Sequence, residues 1–169
     1  YNVQFAVNSG FVTGIGVFHD RTDFGTLIPL LGYLQNKHGQ KYEKVVADSG
    51  YESLANYRWL EANGQTAFIK PSNYESSKKR SFKSQIGKME NMGYYELDDR
   101  FICKNGRHLD FASKYVSHAK DGTEREISVY RCEDCSDCPY RSVCCKAKDA
   151  DKRKEISVCW EFQKMRLQS

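Results

Sequence analysis

The chain has 169 residues, of which 40% are apolar and 13% aromatic, and its formal net charge is +4. This composition excludes a disordered chain and predicts a globular protein long enough to bury a hydrophobic core. No run approaches the roughly eighteen apolar residues of a membrane-spanning helix, and no signal peptide is present, so we expect a cytoplasmic protein without membrane association. The chain starts within a strand pattern and without a methionine, which predicts a fragment. The basic charge is compatible with a polyanionic partner but does not require one.

The elements predicted over residues 1–75 follow the order strand, strand, helix, strand, helix, strand. Ser9-Gly10 between the first two strands is a link typical of hairpins. Asp23 is a suitable N-cap for the first helix, and Pro29 makes that helix either kink or start again. This alternation predicts an α/β protein with a mixed sheet covered by helices.

The fourth of these elements is a short apolar strand that ends on a carboxylate, Asp48. A Ser-Gly turn follows it, and a helix is predicted to begin at Ser53. Reactive groups in open α/β sheets lie just past the carboxyl ends of strands, which makes Asp48 a candidate functional residue. The alternative is that Asp48 only caps a turn, because Asp before Ser-Gly is common turn chemistry. The neighbouring Glu52 is interpreted as a first-turn carboxylate favoured by the helix dipole.

From residue 76 the pattern changes to short apolar runs separated by turns. Asn105-Gly106 and Asp121-Gly122 are dipeptides typical of hairpin turns. We therefore predict a β-rich inserted module over residues 76–147. Residues 148–169 are predicted to form a C-terminal helix that returns towards the core formed by residues 1–75.

Six of the seven cysteines lie between residues 132 and 159. The odd number and the lack of an export signal favour a metal site over disulfides. The spacing of four thiols predicts a structural zinc site: Cys132, Cys135, Cys138 and Cys144. Cys145 is a substitute for Cys144, and His118 and Cys103 are further candidate ligands. The alternatives are an iron–sulfur cluster, reduced thiols without metal, or a disulfide formed during handling. In each case the cysteines have a structural role, because the module is too small to pack well without a stabilising cross-link.

A basic run and a lysine-rich stretch are candidate phosphate contacts, which give affinity without reading a base sequence. The candidate DNA-binding residues in the run are Lys78, Lys79, Arg80 and Lys83. The second stretch covers residues 146–154. An ordinary solvated surface is the alternative for both. Three aromatic residues, Tyr74, Phe82 and Trp160, are candidates for stacking on bases, although such side chains more often fill a core.

Several sequence blocks together resemble the DDE transposases of bacterial insertion sequences. The blocks are Tyr-Asn-Val-Gln-Phe-Ala-Val at 1–7, Leu-Ile-Pro at 27–29 after Asp23, Ala-Asp-Ser-Gly-Tyr-Glu-Ser at 47–53, Phe-Ile-Lys-Pro at 68–71, and Tyr-Arg-Cys-x-x-Cys-x-x-Cys-Pro at 130–139. The resemblance spans nearly the whole chain. It implies a partial ribonuclease H-like core, interrupted by the cysteine-containing insertion. In that family three acids bind two Mg²⁺ or Mn²⁺ ions and DNA strands are cleaved and transferred by in-line phosphoryl transfer.

The resemblance assigns only one of the three acids to a residue of this chain: Asp48 corresponds to the second. The first is expected upstream of Tyr1, on a strand that pairs with residues 1–8; the end of the first visible strand carries Asn8, a poor metal ligand. The third, a Glu, is expected past Ser169, with Glu161 as the candidate in the terminal segment.

Because one aspartate cannot hold two metal ions, we expect the fragment alone to be inactive. The resemblance implies transposon ends and target DNA as partners, and a homo-oligomer for the full-length protein. The rival interpretations are a non-catalytic, zinc-stabilised nucleic-acid-binding module and a mobile-element remnant without function.

Overall fold

The computed structural model describes residues 1–145, 149 and 151–169. They divide into two compact units, the first of residues Tyr1–Tyr74 with Phe162–Ser169 and the second of residues Glu75–Glu161. The elements are β1 (Asn2–Asn8), β2 (Phe11–Phe18), α1 (Leu27–His38), β3 (Lys44–Ala47), α2 (Leu54–Ala62), β4 (Thr66–Ile69), α3 (Tyr74–Ser77), α4 (Arg80–Lys83), β5 (Gly93–Tyr95), β6 (Arg100–Ile102), β7 (His108–His118), β8 (Glu124–Cys132), α5 (Arg141–Cys144), β9 (Glu155–Val158) and α6 (Trp160–Gln168).

The first unit begins with the predicted hairpin of β1 and β2, which pair antiparallel. Ser9 and Gly10 form its turn with φ values of 50° and 83°, the left-handed geometry that two-residue hairpin loops need. One face of the hairpin carries Val3, Phe5 and Val7, and all three side chains are exposed. This apolar face of β1 is therefore not buried by the described residues of the chain.

Glycine lets α1 pack closely on the other face of the hairpin. A side-chain carbon at Gly14 would lie 2.3 Å from Leu34 Cδ2, so even alanine would collide with the helix. Pro29 is the third residue of α1, where the missing N–H has no intrahelical partner to lose, so the helix starts next to the proline and is not broken by it. Gly39 ends the helix with φ at 65°.

The strands β3 and β4 pair in parallel, with α2 between them in the chain. Ser53 caps α2, because its hydroxyl accepts the Asn56 N–H at 3.1 Å. Eight buried side chains from α1, α2, β3 and β4 form one core: Leu27, Leu30, Leu31, Leu34, Val45, Tyr57, Leu60 and Ile69. The α/β class is thus confirmed for this unit. The predicted single mixed sheet is not formed by the described residues, because β1 and β3 do not pair with each other.

The second unit contains an antiparallel sheet of five strands in the order β5-β6-β7-β8-β9. Gly106 and Gly122 have φ values of 75° and 82° in the two predicted turns. The strand β9 lies where a helix was predicted, within residues 148–169. Ile156 and Val158 are buried on alternate positions, the period of a strand, and β9 pairs with β8. This sheet therefore extends beyond residue 147, the bound predicted for the insertion.

Aromatic rings fill the core of this unit. Trp160 stacks near Phe101 and donates its Nε1–H to the Tyr130 hydroxyl at 2.9 Å. Tyr130 in turn donates to Asp99 at 2.5 Å. Phe82 is also buried, with only 7% of its surface exposed. Trp160 and Phe82 therefore serve packing, and the base-stacking alternative is wrong for Phe82, whose ring is enclosed.

No helix among the described residues is long and apolar enough to cross a lipid bilayer.

A buried ion pair holds the C-terminal helix in the first unit. Glu52 Oε1 and Oε2 accept Arg166 Nε and Nη2 at 2.6 and 2.7 Å, and the Glu52 side chain is fully buried. The Ser72 N–H and the Tyr57 hydroxyl also donate to this carboxylate. The sequence predicted a first-turn carboxylate favoured by the helix dipole, but Glu52 precedes the Ser53 cap of α2 and is held by Arg166. Its role is to join α6 to the segments around α2.

Removing either partner should cost about 3–5 kcal/mol of unfolding free energy, because the other charge would remain buried and unpaired. The variants are Glu52→Gln and Arg166→Ala, measured by urea denaturation. The matched control is Arg131→Ala in the exposed pair with Glu155, which has the same 2.6 Å Nε–Oε1 distance and should cost less than about 1 kcal/mol. Equal losses for the two arginine variants would contradict this assignment.

The difference in unfolding free energy between wild type and Glu52→Gln should also depend on pH. Burial raises the pKa of Glu52, but the hydrogen bonds from Arg166 and Ser72 outweigh burial and leave this pKa below its ordinary value of 4.5. A lowered folded-state pKa stabilises the fold above the unfolded-state pKa and loses that effect as the pH falls through the folded-state value. The difference between wild type and Glu52→Gln should therefore be largest near neutral pH and shrink below pH 4.5.

Candidate functional site

Asp48 lies directly after β3, at the carboxyl end of the parallel β3–β4 pair, and its side chain is exposed. Its Oδ1 accepts the Gly50 N–H at 2.8 Å, which holds the carboxylate over the start of the turn Ser49–Tyr51. The local sequence produces this geometry, because an Asp before Ser-Gly readily bonds to the backbone two residues on. The capping role and an exposed carboxylate at the strand end are therefore both present.

Asp23 lies beside Asp48, a proximity that sequence reasoning missed. A side-chain carbon at Gly50 would lie 2.6 Å from Asp23 Oδ2 and 3.1 Å from Asp48 Oδ1. Both carboxylates thus border the same glycine. Burial, followed by the charges of Asp23 and Asp48, raises the pKa of Tyr51 next to them. A side chain at residue 50 would therefore displace at least the Asp23 carboxylate from its position at this turn.

The predicted role of Asp23 as a helix cap is wrong. The cap position of α1 belongs to Thr26, and the Asp23 carboxylate makes no capping bond. Its Oδ1 instead accepts the side-chain amides of Asn2 and Gln4 at 2.8 and 2.7 Å. These amides come from β1 and fix the carboxylate towards the Asp48 turn. No local sequence pattern predicts this contact, because it joins residues about twenty positions apart.

A groove of about 360 Å³ runs past Asp48 within the first unit. One side is lined by residues 5–8 of β1 and the other by residues 44–48, and the leucines of α1 also line it. Each of these strands pairs with one neighbour in the described part of the chain, β1 with β2 and β3 with β4. The strand edges that face the groove therefore have free backbone hydrogen-bonding groups.

The two carboxylates present hard oxygen atoms, the ligand type that Mg²⁺ and Mn²⁺ prefer. Asp48 and Asp23 are the residues of this turn that would hold such an ion. No group of three or more His, Cys, Asp or Glu side chains is arranged to bind a metal within residues 1–145, 149 and 151–169. The donor chemistry fits a divalent ion, but the described set is smaller than a two-metal centre needs.

The cysteines converge on one small cavity in the second unit. Cys132, Cys135, Cys138 and Cys144 all line it, together with Cys103 and Cys145. Each of these thiols is reduced. Burial raises the pKa of Cys132 to about 12, and burial also raises the pKa of Cys144 while the cation of Lys154 opposes this effect. The candidate His118 is not part of the cluster, because its imidazole pairs with Glu124 at 3.1 Å near the β7–β8 turn.

The basic run is exposed on and around α4. All four predicted phosphate contacts, Lys78, Lys79, Arg80 and Lys83, have exposed side chains. Lys78 also pairs with Glu75 at 3.6 Å. In the second lysine-rich stretch, residues 146–148 and 150 lie outside the described residues.

A comparison with protein families gives a match for the C-terminal part of the chain. A family model described as Transposase DDE domain matches residues 102–169, less than half of the chain. No curated protein and no solved structure matches the chain. The matched segment contains the cysteine loop and α6 but not Asp48. The resemblance to DDE-type transposases is therefore confirmed, whereas the ribonuclease H-like fold and the role of Asp48 stay predictions.

Proposed function

We propose that this chain is the part of a DDE transposase that contributes Asp48 to a metal centre for DNA strand cleavage and transfer. The observation that carries the proposal is the exposed carboxylate at the carboxyl end of β3, beside a second carboxylate at Gly50. Bound Mg²⁺ or Mn²⁺ ions would neutralise the phosphodiester charge and activate the attacking water or 3′-hydroxyl.

The chain's own residues prepare this position by fixing carboxylate orientation. The Gly50 N–H holds Asp48 Oδ1, and the amides of Asn2 and Gln4 hold Asp23 Oδ1. Fixed ligands lose less conformational freedom when an ion binds, which favours binding of a divalent ion at a site with few ligands. Asp48 is the proposed metal ligand, and Asp23 is either a second ligand or a group that sets the local negative charge.

We further propose that one more strand completes the sheet in the groove between β1 and β3. Both strands present unpaired edges there, and the groove passes Asp48. A strand in this position would join the two small sheets into a five-stranded mixed sheet of the ribonuclease H type and bring its side chains next to Asp48. The exposed apolar face of Val3, Phe5 and Val7 supports an incomplete core, since large exposed apolar surfaces mark contacts with further chain or partners.

DNA is the proposed partner, and Lys78, Lys79, Arg80 and Lys83 are proposed phosphate contacts. Their exposure supports this role, because such contacts act through charge and need no pocket. The same exposure favours the second candidate function, a nucleic-acid-binding module without catalysis in which Asp48 is only a turn residue. Metal binding at Asp48 distinguishes the two functions.

Residues 1–169 alone should not cleave DNA, because Asp48 and Asp23 cannot complete a two-metal centre. The measurement is nicking of supercoiled plasmid with Mg²⁺ or Mn²⁺, with Asp48→Ala prepared in parallel to reveal contaminating nuclease. Robust cleavage by the wild type that Asp48→Ala abolishes would contradict the predicted inactivity.

Mn²⁺ should nevertheless bind weakly near the Asp48 turn. Paramagnetic broadening of the Gly50 and Tyr51 amide signals is the expected result, and Asp48→Asn should reduce it. The matched control is Asp121→Asn, because Asp121 Oδ1 accepts the Thr123 N–H at 2.9 Å in the same kind of turn, where the cation of Arg125 is a charged neighbour. Broadening that is absent from the wild type, or equal in the two variants, would favour the non-catalytic binding module.

A further inference from the structure

We propose that the second unit holds a structural zinc ion between the thiolates of Cys103, Cys135, Cys138 and Cys144. This site is independent of the proposed catalytic function. It also differs from the set predicted from spacing alone, because Cys103 replaces Cys132.

The four thiols come from three separate parts of the chain and line one cavity. Cys103 follows β6 in a tight turn, where its N–H donates to the Arg107 carbonyl at 2.9 Å. Cys135 and Cys138 lie on the loop after β8, and Cys144 ends α5. Four thiols from distinct segments around one cavity are the arrangement of a structural zinc site that ties loops together.

Two contacts attach the Cys103 turn to the cysteine loop. Arg107 Nη1 donates to both the carbonyl and the carboxylate of Asp134, at 2.9 and 2.8 Å. Within the cysteine loop itself, Arg141 Nη1 donates to the Cys135 carbonyl at 3.3 Å. These contacts bring Cys103 to the same cavity as a loop about thirty positions away in sequence. Cys103 therefore has the access that a ligand needs.

Cys132 lines the same cavity as the four proposed ligands and differs from them in the hydrogen bond that its thiol makes. It is 2% exposed and shares the apolar core of Leu109 and Tyr130 with Cys135, so burial does not separate these two cysteines. The Cys132 thiol donates a hydrogen bond to the Asp134 carbonyl at 3.1 Å. A zinc-bound cysteine has lost that hydrogen, so the observed bond suits a core thiol and not a ligand. Cys145 likewise points its thiol towards the Lys152 carbonyl, at 3.8 Å.

The charges around the cavity suit a thiolate centre. Four thiolates and one Zn²⁺ carry a net negative charge, and the side chains of Arg107, Arg141 and Lys154 line the same cavity. The Lys154 N–H donates to Cys135 Sγ at 3.3 Å. Backbone donors to sulfur and nearby cations stabilise metal-bound thiolates.

The size of the cavity favours a single ion over an iron–sulfur cluster. Its volume is about 20 Å³, and one water-sized body occupies roughly 10–15 Å³ on the same measure. A cluster of several iron and sulfur atoms is larger than this space, so it would need a greater rearrangement of the thiols than a single ion. Tetrahedral sites with four sulfur ligands select Zn²⁺ among single ions. No three of the described cysteines are arranged to hold an ion in this structure. Binding would therefore draw the thiols inward, because metal binding and folding are coupled in small modules.

Individual Cys→Ser variants of the full 169-residue chain test the ligand set. Wild type purified with zinc should retain one ion per chain, measured by elemental analysis. Serine at 103, 135, 138 or 144 should weaken zinc binding by at least roughly 100-fold, more than the loss of an outer hydrogen-bond partner costs. The matched controls are Cys132→Ser and Cys145→Ser, which should keep the ion.

A second measurement avoids variants that fail to fold. Native wild type with zinc is treated with an alkylating reagent, and modified cysteines are identified by mass spectrometry before and after chelation. Chelation should expose Cys103, Cys135, Cys138 and Cys144 to the reagent and leave the rate at Cys159 unchanged. Zinc retention by Cys103→Ser, protection of Cys132 in place of Cys103, an iron-containing product, or no bound metal would each overturn the proposal.

Discussion

The parallel pairing of β3 with β4 is the constraint on which the candidate site depends. Parallel neighbours need a crossover connection, and α2 supplies it after the Asp48 turn. The turn must therefore leave the sheet at the carboxyl end of β3, which brings Asp48 to solvent while Val45 stays in the core. The buried Glu52–Arg166 pair stabilises the chain just after this turn. The exposed Asp48 carboxylate and the buried Glu52 carboxylate thus lie only four residues apart.

Glycine determines how closely other groups approach this turn. Gly50 leaves room for the carboxylates of both Asp23 and Asp48, and Gly14 lets Leu34 of α1 contact the hairpin backbone. The hairpin in turn supplies Asn2 and Gln4, whose amides orient Asp23. The hairpin, α1 and the Asp48 turn therefore share one set of close contacts.

The two units bring reactive groups together in different ways. In the first, Asp48 borders a groove between the strand edges of β1 and β3, where further chain and ions have access. In the second, the thiols line a small cavity beside an apolar core. Oxygen ligands at an open edge suit exchangeable hard cations, and sulfur ligands in a closed cavity suit a permanent ion. The family match covers the second arrangement and supports the resemblance to DDE transposases without testing the first.

The sequence by itself determined the elements whose signals are local: the Ser9-Gly10 hairpin, the caps of α2, the strand ending at Asp48 and the turns at Gly106 and Gly122. Apolar alternation and turn chemistry act over a few residues, so the elements that they produce can be predicted without a structure. Only the tertiary structure decided that Asp23 meets Asp48, that Glu52 pairs with Arg166, that β9 is a strand and that Cys103 joins the cysteine loop. Each of these depends on packing between segments distant in the chain, for which local spacing carries no information.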